Sequence, residues 1–567
     1  MADEIAGVET SPSEGAKLLP TGVPNLDRLL GGGLPTSAFV LIMGRPGSGK
    51  TSLANQIAFH AARAGRRVLI LTALSESTTK LIDHLRSFDF FDQRLIGGPI
   101  QFLSLQALLP QGLEPTGREI LVIARDMRAD IVVLDGFRGM RGIESEPLHA
   151  REFLYDVGTT LSAMGAMFLV TTETEPNDTR FYPETTTADV ILGLHYNVVD
   201  VMQHRAIEVV KARGRAPLPG LHTLVLSSAG ATIYPQFEIR VVRGLLDGRS
   251  GLEQARDRTQ VGGTALAERA PTDGADRSSY TIPAAAQRAP FDLPELDRLT
   301  GGGLTRVSCT LVAGSSGTGK TLLALSFAAA GLRAGEPTLF FGLRENLDQI
   351  LVKADAFALG ADLRRGLEPG GGLTVLRLPP IQLNPDIVAD RVLRELDRTG
   401  ARRLIVDSVF ELERAIHLSS HPNRLYDYLS ALVEELHARG VTTLFTRETE
   451  KALAATLDFS GEPLSVLAEN VILLQQVVYR QSLYRVLSVL KMRQSPHDNS
   501  LREFRITAPE GIEVLQAMES TPGVLEGIAR QVGGSIVAPR DDRATRASDS
   551  GGESQPSSGA DEQGGLL

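Results

Sequence analysis

A long internal repeat is the feature that most restricts how this chain of 567 residues folds. The tetrapeptide Leu-Asp-Arg-Leu at Leu26–Leu29 recurs at Leu296–Leu299, 270 residues later. A segment of pattern Thr-x-Glu-x-Glu begins at Thr171 and recurs from Thr446, 275 residues later. Solenoid units span only about 20–45 residues, so a repeat of this length predicts a duplicated domain.

The repeat predicts two large domains, a linker and two tails. The first 16 residues are polar and acidic, and the stretch between the repeats shows no hydrophobic periodicity. The stretch Ser548–Gly565 is rich in Ser, Gly and Asp, a composition typical of disorder. We therefore predict two domains, at residues 17–247 and 287–518, joined by a linker at residues 248–286. We predict that the N-terminus, residues 1–16, and the C-terminal tail, residues 519–567, are disordered.

Short apolar runs alternate with longer amphipathic segments within each repeat. In the first repeat we predict buried strands at Phe39–Met43, Val68–Leu71, Ile131–Leu134 and Met167–Val170. We predict intervening helices at Ser52–Ala64 and Glu152–Met164. Continuous apolar strands separated by helices are typical of parallel sheets that are covered on both faces. The alternation therefore predicts an α/β fold with mainly parallel central sheets sandwiched by helices.

Both repeats carry the phosphate-loop motif G-x-x-x-x-G-K-[ST] between an apolar strand and a helix, at Gly44–Thr51 and Gly314–Thr321. The glycines let backbone N–H groups close around phosphate oxygens, the lysines reach the β and γ oxygens, and the threonine hydroxyls ligate Mg²⁺. The motifs thus predict ATP and Mg²⁺ as cofactors. The predicted binding residues are Gly47, Ser48, Gly49, Lys50, Thr51, Ser52, Gly317, Thr318, Gly319, Lys320, Thr321 and Leu322.

An aspartate follows one apolar strand in each repeat. Asp135 ends the run Ile131–Leu134, and Asp407 ends the corresponding run in the second repeat. A carboxylate at the carboxyl end of a parallel strand lies where α/β folds bind ligands. We therefore predict that Asp135 with Thr51, and Asp407 with Thr321, hold the metal ion.

The composition restricts the classes of protein and of metal site. The formal net charge is −10, which disfavours a whole-chain nucleic-acid binder, although most of the excess acid lies in the two tails. A single cysteine, Cys309, excludes a disulfide framework and predicts a reducing cytoplasmic location. We expect Cys309 to be packed core. The ten histidines show no ligand spacing, so we expect no structural metal besides Mg²⁺.

Targeting segments are not expected either. The chain has no run of about 18 apolar residues, so we expect no transmembrane helix. The acidic start lacks the basic and apolar regions of a secretory signal.

Taken together, the two repeats resemble the KaiC family of circadian-clock ATPases and autokinases. The resemblance rests on Pro20–Pro35, the two phosphate loops and the spaced Asp, Thr-Glu and Lys-x-Arg elements. In the second repeat Val471–Gln475 and Val489–Asp498 add to it. The resemblance implies two tandem RecA-like P-loop NTPase domains, with ATP bound at subunit interfaces of a homo-oligomeric, hexameric ring.

The Lys-x-Arg pairs gain a role from this resemblance. In the family this element is similar to an arginine finger that a neighbouring subunit supplies to the γ-phosphate. Cations donated in this way offset charge on the transferred phosphoryl group. Lys211 with Arg213, and Lys491 with Arg493, are therefore candidate catalytic residues, and the alternative is a solvated basic strand end.

The chain departs from the family where two adjacent glutamates follow the second strand. The first glutamate is replaced by Ser75 in one repeat and Arg344 in the other, whereas Glu76 and Glu345 retain the second. Neither Ser nor Arg can polarise the attacking group as a carboxylate does. Glu76 and Glu345 are candidate catalytic residues, or they are exposed residues favoured at a helix start.

The region that matches the family's phosphorylation sites also differs. Of an adjacent Ser and Thr, only Ser465 is kept, and Val466 replaces the threonine. Ser460 lies at a position where the family has another acceptor. Phosphorylation of Ser465 alone remains open, and the alternative is a serine without such a role.

These features predict a Mg²⁺-dependent ATPase with Ser/Thr autokinase activity that acts as a signalling or timing switch. A nucleotide-gated scaffold with negligible hydrolysis is the main alternative, because the first glutamate is lost twice. A recombinase-like DNA-binding ATPase is less favoured, because no basic, aromatic-interleaved loop is present. Partner proteins are not identified, and nucleic acid and membranes are not expected partners.

Overall fold

The computed structural model describes residues 17–73, 77–140, 147–176, 178, 183–199, 202–246, 288–380, 383–418, 424–449, 463–479, 482–493 and 495–516. The predicted tails and linker at residues 1–16, 248–286 and 519–567 lie outside these ranges. Among the described residues, no helix is long and apolar enough to span a membrane.

The first repeat contains eleven strands and seven α-helices among its described residues. In chain order they are β1 (Leu18–Leu19), α1 (Leu26–Leu30), β2 (Leu34–Pro35), β3 (Phe39–Gly44), α2 (Lys50–Arg63), β4 (Val68–Thr72), α3 (Thr78–Leu85), β5 (Ile100–Ser104), α4 (Leu113–Asp126), β6 (Ile131–Asp135), α5 (Pro147–Ala163), β7 (Met167–Thr172), α6 (Pro183–Thr187), β8 (Val190–Val199), β9 (Met202–Ala212), β10 (His222–Ser227), β11 (Gly230–Tyr234) and α7 (Phe237–Leu246).

The second repeat follows the same order up to its last strand, with additional α-helices at Gly360–Leu367 and Val409–Leu418 and no counterpart of α7 among its described residues. Its elements are β12 (Arg288–Ala289), α8 (Pro294–Leu299), β13 (Leu304–Thr305), β14 (Cys309–Gly314), α9 (Lys320–Arg333), β15 (Thr338–Gly342), α10 (Leu347–Ala356), α11 (Gly360–Leu367), β16 (Leu373–Arg377), α12 (Pro385–Thr399), β17 (Arg403–Asp407), α13 (Val409–Leu418), α14 (Arg424–Ala438), β18 (Thr442–Glu448), α15 (Pro463–Leu467), β19 (Asn470–Tyr479), β20 (Ser482–Met492), β21 (Arg502–Thr507) and β22 (Gly511–Val514).

Each repeat is built around a nine-stranded sheet. The strand orders are β5-β4-β6-β7-β3-β8-β9-β10-β11 and β16-β15-β17-β18-β14-β19-β20-β21-β22. The first six strands of each order run parallel to one another. The sixth strand, β8 or β19, also pairs antiparallel with the seventh, and the remaining strands continue antiparallel. The predicted α/β fold, two tandem RecA-like domains with mainly parallel sheets, is therefore confirmed.

The central parallel strands are buried along their whole length. Every residue of β3, β4, β6 and β7 is buried, which explains the continuous apolar runs in the sequence. Helices cover both faces of each sheet, and apolar cores lie on the two sides. All six segments predicted for the first repeat coincide with β3, β4, β6, β7, α2 and α5.

Helix α7 comes last in the first repeat but packs on the second. Its Phe237 and Val241 lie in one apolar core with Leu425 and Tyr428 of α14. The Phe237 and Tyr428 rings are 5.2 Å apart between centroids. The polypeptide therefore crosses from one repeat to the other before residue 247.

Candidate nucleotide sites

The two phosphate loops lie at the carboxyl ends of the central strands β3 and β14. In each loop the last two glycines adopt left-handed backbone angles, with φ of 79° at Gly47 and 102° at Gly49. A Cβ atom at Gly49 would lie 2.7 Å from Leu226 Cδ1, and one at Gly319 would lie 2.7 Å from Ile506 Cδ1. The strand-to-helix turn thus requires glycine here, and helices α2 and α9 begin at the next residue.

The loop lysines are held against their own loops. Lys50 Nζ donates to the carbonyl oxygens of Gly44 at 2.9 Å and Arg45 at 3.0 Å. Lys320 Nζ makes the same two contacts, with Gly314 at 2.8 Å and Ser315 at 2.7 Å. Burial lowers the pKa of both lysines. Each lysine ammonium group is therefore held at its own phosphate loop by two carbonyl oxygens, and it places a positive charge in the candidate site.

The other predicted loop residues line the same turn. Ser48 and Thr318 are fully buried, and Ser52 and Leu322 are also buried in the first turn of their helices. Thr318 Oγ1 donates to the Ser315 carbonyl at 2.8 Å. Ser48 Oγ is buried and has no hydrogen-bond partner among the described residues. An unsatisfied hydroxyl beside the loop fits a site that receives a polar ligand.

The predicted metal-binding pairs come together in both repeats. Thr51 Oγ1 lies 3.0 and 3.1 Å from the two Asp135 carboxylate oxygens, and Thr321 Oγ1 lies 2.8 Å from Asp407 Oδ2. Burial raises the pKa of the Asp135 carboxyl. Hydroxyl and carboxylate oxygens are the ligands that Mg²⁺ prefers, so the donor set fits this ion. A cation would also offset the cost of burying the carboxylate.

Each of these aspartates has a second hydroxyl partner that the sequence analysis missed. Thr171 Oγ1 donates to Asp135 and accepts from the Gly136 N–H at 2.9 Å. Thr446 donates to Asp407 in the same way. The repeated Thr-x-Glu-x-Glu segment was visible in the sequence, but its first threonine had no assigned role. These two threonines orient the carboxylates that are predicted to bind the metal.

The second repeat has a cavity of about 370 Å³ beside its phosphate loop. Charged residues lining it are Lys320, Arg344, Glu345, Lys353, Asp407 and Glu448. Arg344 donates to Glu411 at 2.7 Å and to Glu448 at 3.0 Å. Glu345 forms an ion pair with Lys353. The arginine that replaces a family glutamate thus points into the candidate nucleotide site and is tied to two carboxylates. Ser75 and Glu76 lie outside the described residues.

The candidate finger pairs lie near the amino-terminal ends of the central strands, whereas the phosphate loops lie at the carboxyl ends. Ile191 in β8 pairs with Lys211, close to the start of β3, whereas the phosphate loop follows its end. Through Ile191, Lys211 is level with Leu41, three residues or about 10 Å along the strand before the loop begins at Gly44, and its side chain is bonded on the side away from the loop. The structure therefore does not bring predicted finger and loop together within one chain.

These cations are held by carbonyl groups at the ends of short helices. Lys211 Nζ donates to the carbonyl of Thr185 at 3.1 Å and Arg213 to that of Thr186 at 2.9 Å. In the second repeat Lys491 donates to the carbonyls of Ser465 at 3.1 Å and Ala468 at 2.8 Å, and Arg493 donates to that of Val466 at 3.0 Å. The half-buried Ser465 in α15 thus lies beside the second pair, and Ser460 lies outside the described residues.

Comparison with known proteins agrees with this geometry. The family model of the KaiC ATPase matches residues 19–238 and 290–519. The circadian clock protein KaiC3 of Synechocystis sp. is 26% identical over 532 residues, covering 91% of this chain and 95% of that protein. The circadian clock oscillator protein KaiC of Thermostichus vulcanus is 24% identical over 539 residues, covering 92% and 95%. Because the family model matches both repeats and well over half of the chain, this protein belongs to the KaiC ATPase family.

Proposed function

We propose that this chain is a Mg²⁺-dependent ATPase with one nucleotide site in each repeat. The carrying observation is that both repeats place a loop lysine, a loop threonine and an aspartate at the same sheet edge. Mg²⁺, when bound, would supply positive charge that neutralises the phosphate groups. Lys50 and Lys320 would bind the β and γ oxygens, and the aspartates, oriented by their threonines, would hold the ion.

Assembly into a ring completes this proposal. The Lys-x-Arg pairs lie near the amino-terminal ends of the strands, on the side opposite the loops of their own repeats, so we expect them to act on phosphate from a neighbouring subunit. We propose a homo-oligomer, hexameric as in the resemblance, in which Lys211, Arg213, Lys491 and Arg493 serve neighbouring sites. Native mass measurement with and without ATP tests this, and a monomer under both conditions would contradict it.

The test of the enzymatic proposal is phosphate release from Mg-ATP. We expect Lys50→Ala or Lys320→Ala to remove the activity of one repeat, and the double variant to lose at least about 100-fold, because phosphate charge is then unpaired. Lys80→Ala, at an exposed position of α3 outside both loops, provides the lysine control. Equal rates in the wild type and the double variant would rule out the proposal.

Autophosphorylation of Ser465 belongs to the same proposal. Ser465 lies beside Lys491 at the edge opposite the phosphate loops, so its hydroxyl would meet ATP of a neighbouring subunit. We expect one phosphate on the peptide that contains Ser465 after incubation with Mg-ATP, measured by mass spectrometry. The Lys320→Ala variant should lack it. A signalling or timing role would rest on this modification.

A nucleotide-gated scaffold is the second candidate, and Arg344 favours it. Arg344 occupies the position of the first family glutamate and is tied to Glu411 and Glu448, so it cannot accept a proton from the attacking group. On this account ATP drives assembly but turnover is negligible. Restoring both glutamates by Ser75→Glu and Arg344→Glu should then raise phosphate release, and an unchanged rate would argue against the scaffold.

A further inference from the structure

Three side chains of types that ligate metals meet at the amino-terminal ends of the central strands of the second sheet. This is the side of the sheet that faces away from its phosphate loop. Cys309 is the first residue of β14, Glu469 directly precedes β19, and His437 is the next-to-last residue of α14. One ligand atom from each, a thiol sulfur, an imidazole nitrogen and a carboxylate oxygen, lies within 4.8 Å of the other two. They are far apart in the sequence, and no spacing motif connects them.

The geometry of the cluster is close to that of a zinc site. His437 Nε2 lies 3.5 Å from Glu469 Oε1, a long ion-pair contact that does not meet hydrogen-bond geometry. With zinc bonds of about 2.0–2.3 Å, two ligands of a tetrahedral site are separated by roughly 3.3–3.6 Å. The imidazole and carboxylate already have this spacing, and a shift of about 1 Å brings the thiol to it.

Local hydrogen bonds hold two of the ligands in place. Glu469 Oε2 accepts from the Cys309 N–H at 2.6 Å, and the Glu469 N–H donates to the Cys309 carbonyl at 3.0 Å. The neighbouring Asn470 amide donates to Ser308 Oγ and Thr310 Oγ1, both at 2.9 Å. These bonds fix the backbone of Cys309 and the Glu469 carboxylate beside each other, and hydrogen bonds of this kind orient metal ligands in proteins.

The first repeat shows which part of this arrangement is only structural. There Asp189 accepts from the Phe39 N–H at 3.0 Å, so the carboxylate that receives the first N–H of the central strand is common to both repeats. Its other oxygen pairs with Arg213 at 3.2 Å. Phe39, however, packs on Phe168, whereas Cys309 is paired with Thr443.

The imidazole also belongs to the second repeat alone. His437 lies five residues before β18, and the position five residues before β7 in the first repeat is Ser162. In the second repeat, moreover, Arg493 donates to Val466, and the carboxylate oxygen Oε1 faces His437. A shared structural carboxylate has thus acquired a thiol and an imidazole as neighbours.

We propose that Cys309, His437 and Glu469 form a Zn²⁺ site separate from the two Mg-nucleotide sites. On binding, the Cys309 S–H bond breaks, its proton leaves to solvent and a Zn–S bond forms. Thiolate and carboxylate then balance the two charges of the ion, and neutral imidazole and one water complete four ligands. The His437 and Glu469 side chains are 27% and 15% exposed, so the water and the ion enter from their side. Sulfur and nitrogen ligands favour Zn²⁺ over Mg²⁺, which prefers oxygen.

The single cysteine allows a specific test with the full-length chain. Cobalt(II) replaces zinc in such sites, and a thiolate ligand gives it a near-ultraviolet charge-transfer band that oxygen ligands do not give. We expect this band to saturate at one Co²⁺ per chain in saturating Mg-ATP and to disappear on addition of one equivalent of Zn²⁺. Because Cys309 is the only cysteine, Co²⁺ bound at the nucleotide sites cannot produce it. Absence of the band would overturn the proposal.

Variants separate the ligands from the fold. His437→Gln should weaken Zn²⁺ binding at least about 10-fold in competition with a chromophoric chelator. His84→Gln, at an exposed position of α3, is the matched control and should leave affinity unchanged. Cys309→Ser should abolish the cobalt band, and its nucleotide binding reports whether the fold is kept. If the Cys309 variant does not fold, the His437 variant decides the test. Unchanged affinity in His437→Gln would overturn the proposal.

Discussion

Thr171 and Thr446 show how one hydroxyl group orients a carboxylate in a candidate metal site. Each lies at the end of a buried strand and donates to the aspartate of the neighbouring strand. Without that hydrogen bond, a half-satisfied carboxylate would remain in a buried site, where unmade hydrogen bonds cost about 1–3 kcal/mol.

The threonine in the second repeat gives a prediction at this scale. We expect Thr446→Val to weaken Mg-ATP binding by about 1–3 kcal/mol, which corresponds to roughly 5- to 150-fold in Kd. Calorimetric titration in a Lys50→Ala background isolates the second site. Thr446→Ser keeps the hydroxyl and serves as the control. An equal loss in the serine variant would show that the methyl group, not the hydroxyl, matters.

A buried histidine gives a prediction for pH dependence. His222 is fully buried, and its Nδ1 accepts from the Gln236 N–H at 3.0 Å. Burial lowers the pKa of His222 below its usual value of about 6.5. As the pH falls, the unfolded chain therefore binds a proton first, and the free energy of unfolding decreases below about pH 6.5. The stabilisation is fully present above that pH and is lost on the acid side.

We expect the His222 contribution to cost at most about 1.4 kcal/mol between about pH 7.5 and 5.5. Urea unfolding of the wild type and of His222→Asn at both pH values measures it. The Asn side chain keeps an acceptor near the position of Nδ1 but does not titrate, so the variant should lose less stability on acidification. The same acid-dependent loss in both proteins would contradict the assignment.

Strand β17 and helix α9 differ from their counterparts in the first repeat by a matched pair of residues, a large arginine on the strand and a glycine on the helix. Arg403 opens β17 and is fully buried, whereas the matching first residue of β6 is Ile131. The Arg403 guanidinium donates to the Glu336 carboxylate at 2.6 Å and to the Phe327 carbonyl at 2.9 Å. A Cβ atom at Gly331 in α9 would lie 2.6 Å from Arg403 Cδ. The glycine therefore makes room for the arginine between helix and sheet.

This pair gives a prediction at the scale of the element. Replacing a helical glycine by alanine usually stabilises by about 1 kcal/mol, but here we expect Gly331→Ala to lower the free energy of unfolding by about 1–3 kcal/mol through the clash with Arg403. Chemical denaturation measures the change. The double variant Gly331→Ala/Arg403→Ile should lose less than the sum of its single changes. Strict additivity would exclude a direct contact.

At the scale of the whole molecule, helix α7 joins the two repeats. Glu238 of α7 accepts two hydrogen bonds from Arg424, at 2.6 and 2.9 Å, and the Phe237 N–H donates to Asp386 at 3.0 Å. Arg424 is also paired with Asp386. The Arg424 side chain is only 7% exposed, so the ion pairs are shielded from solvent. Part of the first repeat is thus anchored in the core of the second.

The anchor gives a prediction for cooperativity. We expect Arg424→Met to cost about 3–5 kcal/mol, because two buried carboxylates lose their cation. Scanning calorimetry should show the first and second repeats unfolding closer together in the wild type than in the variant. Glu238→Gln removes one charge while keeping Arg424 paired with Asp386, so it should have a smaller effect. Unchanged transitions in Arg424→Met would show that α7 does not couple the repeats.

Local chemistry determined what the sequence could predict. The glycine turns of the phosphate loops and the buried strands were predicted, because a glycine turn or an apolar run sets its own backbone within a few residues. The sequence also indicated that each loop threonine meets an aspartate, and the metal-binding role of these pairs stays a prediction. The family follows from the same motifs, which occur twice.

Tertiary structure alone decided which distant residues meet. Packing places the Lys-x-Arg pairs at the edge opposite the phosphate loops, puts α7 on the second repeat and groups Cys309 with His437 and Glu469. The last three residues lie on different elements, so only the register of β14 and β19 and the end of α14 bring them within 4.8 Å. No local pattern encodes such a distance, because it depends on how strands and helices pack after each has formed.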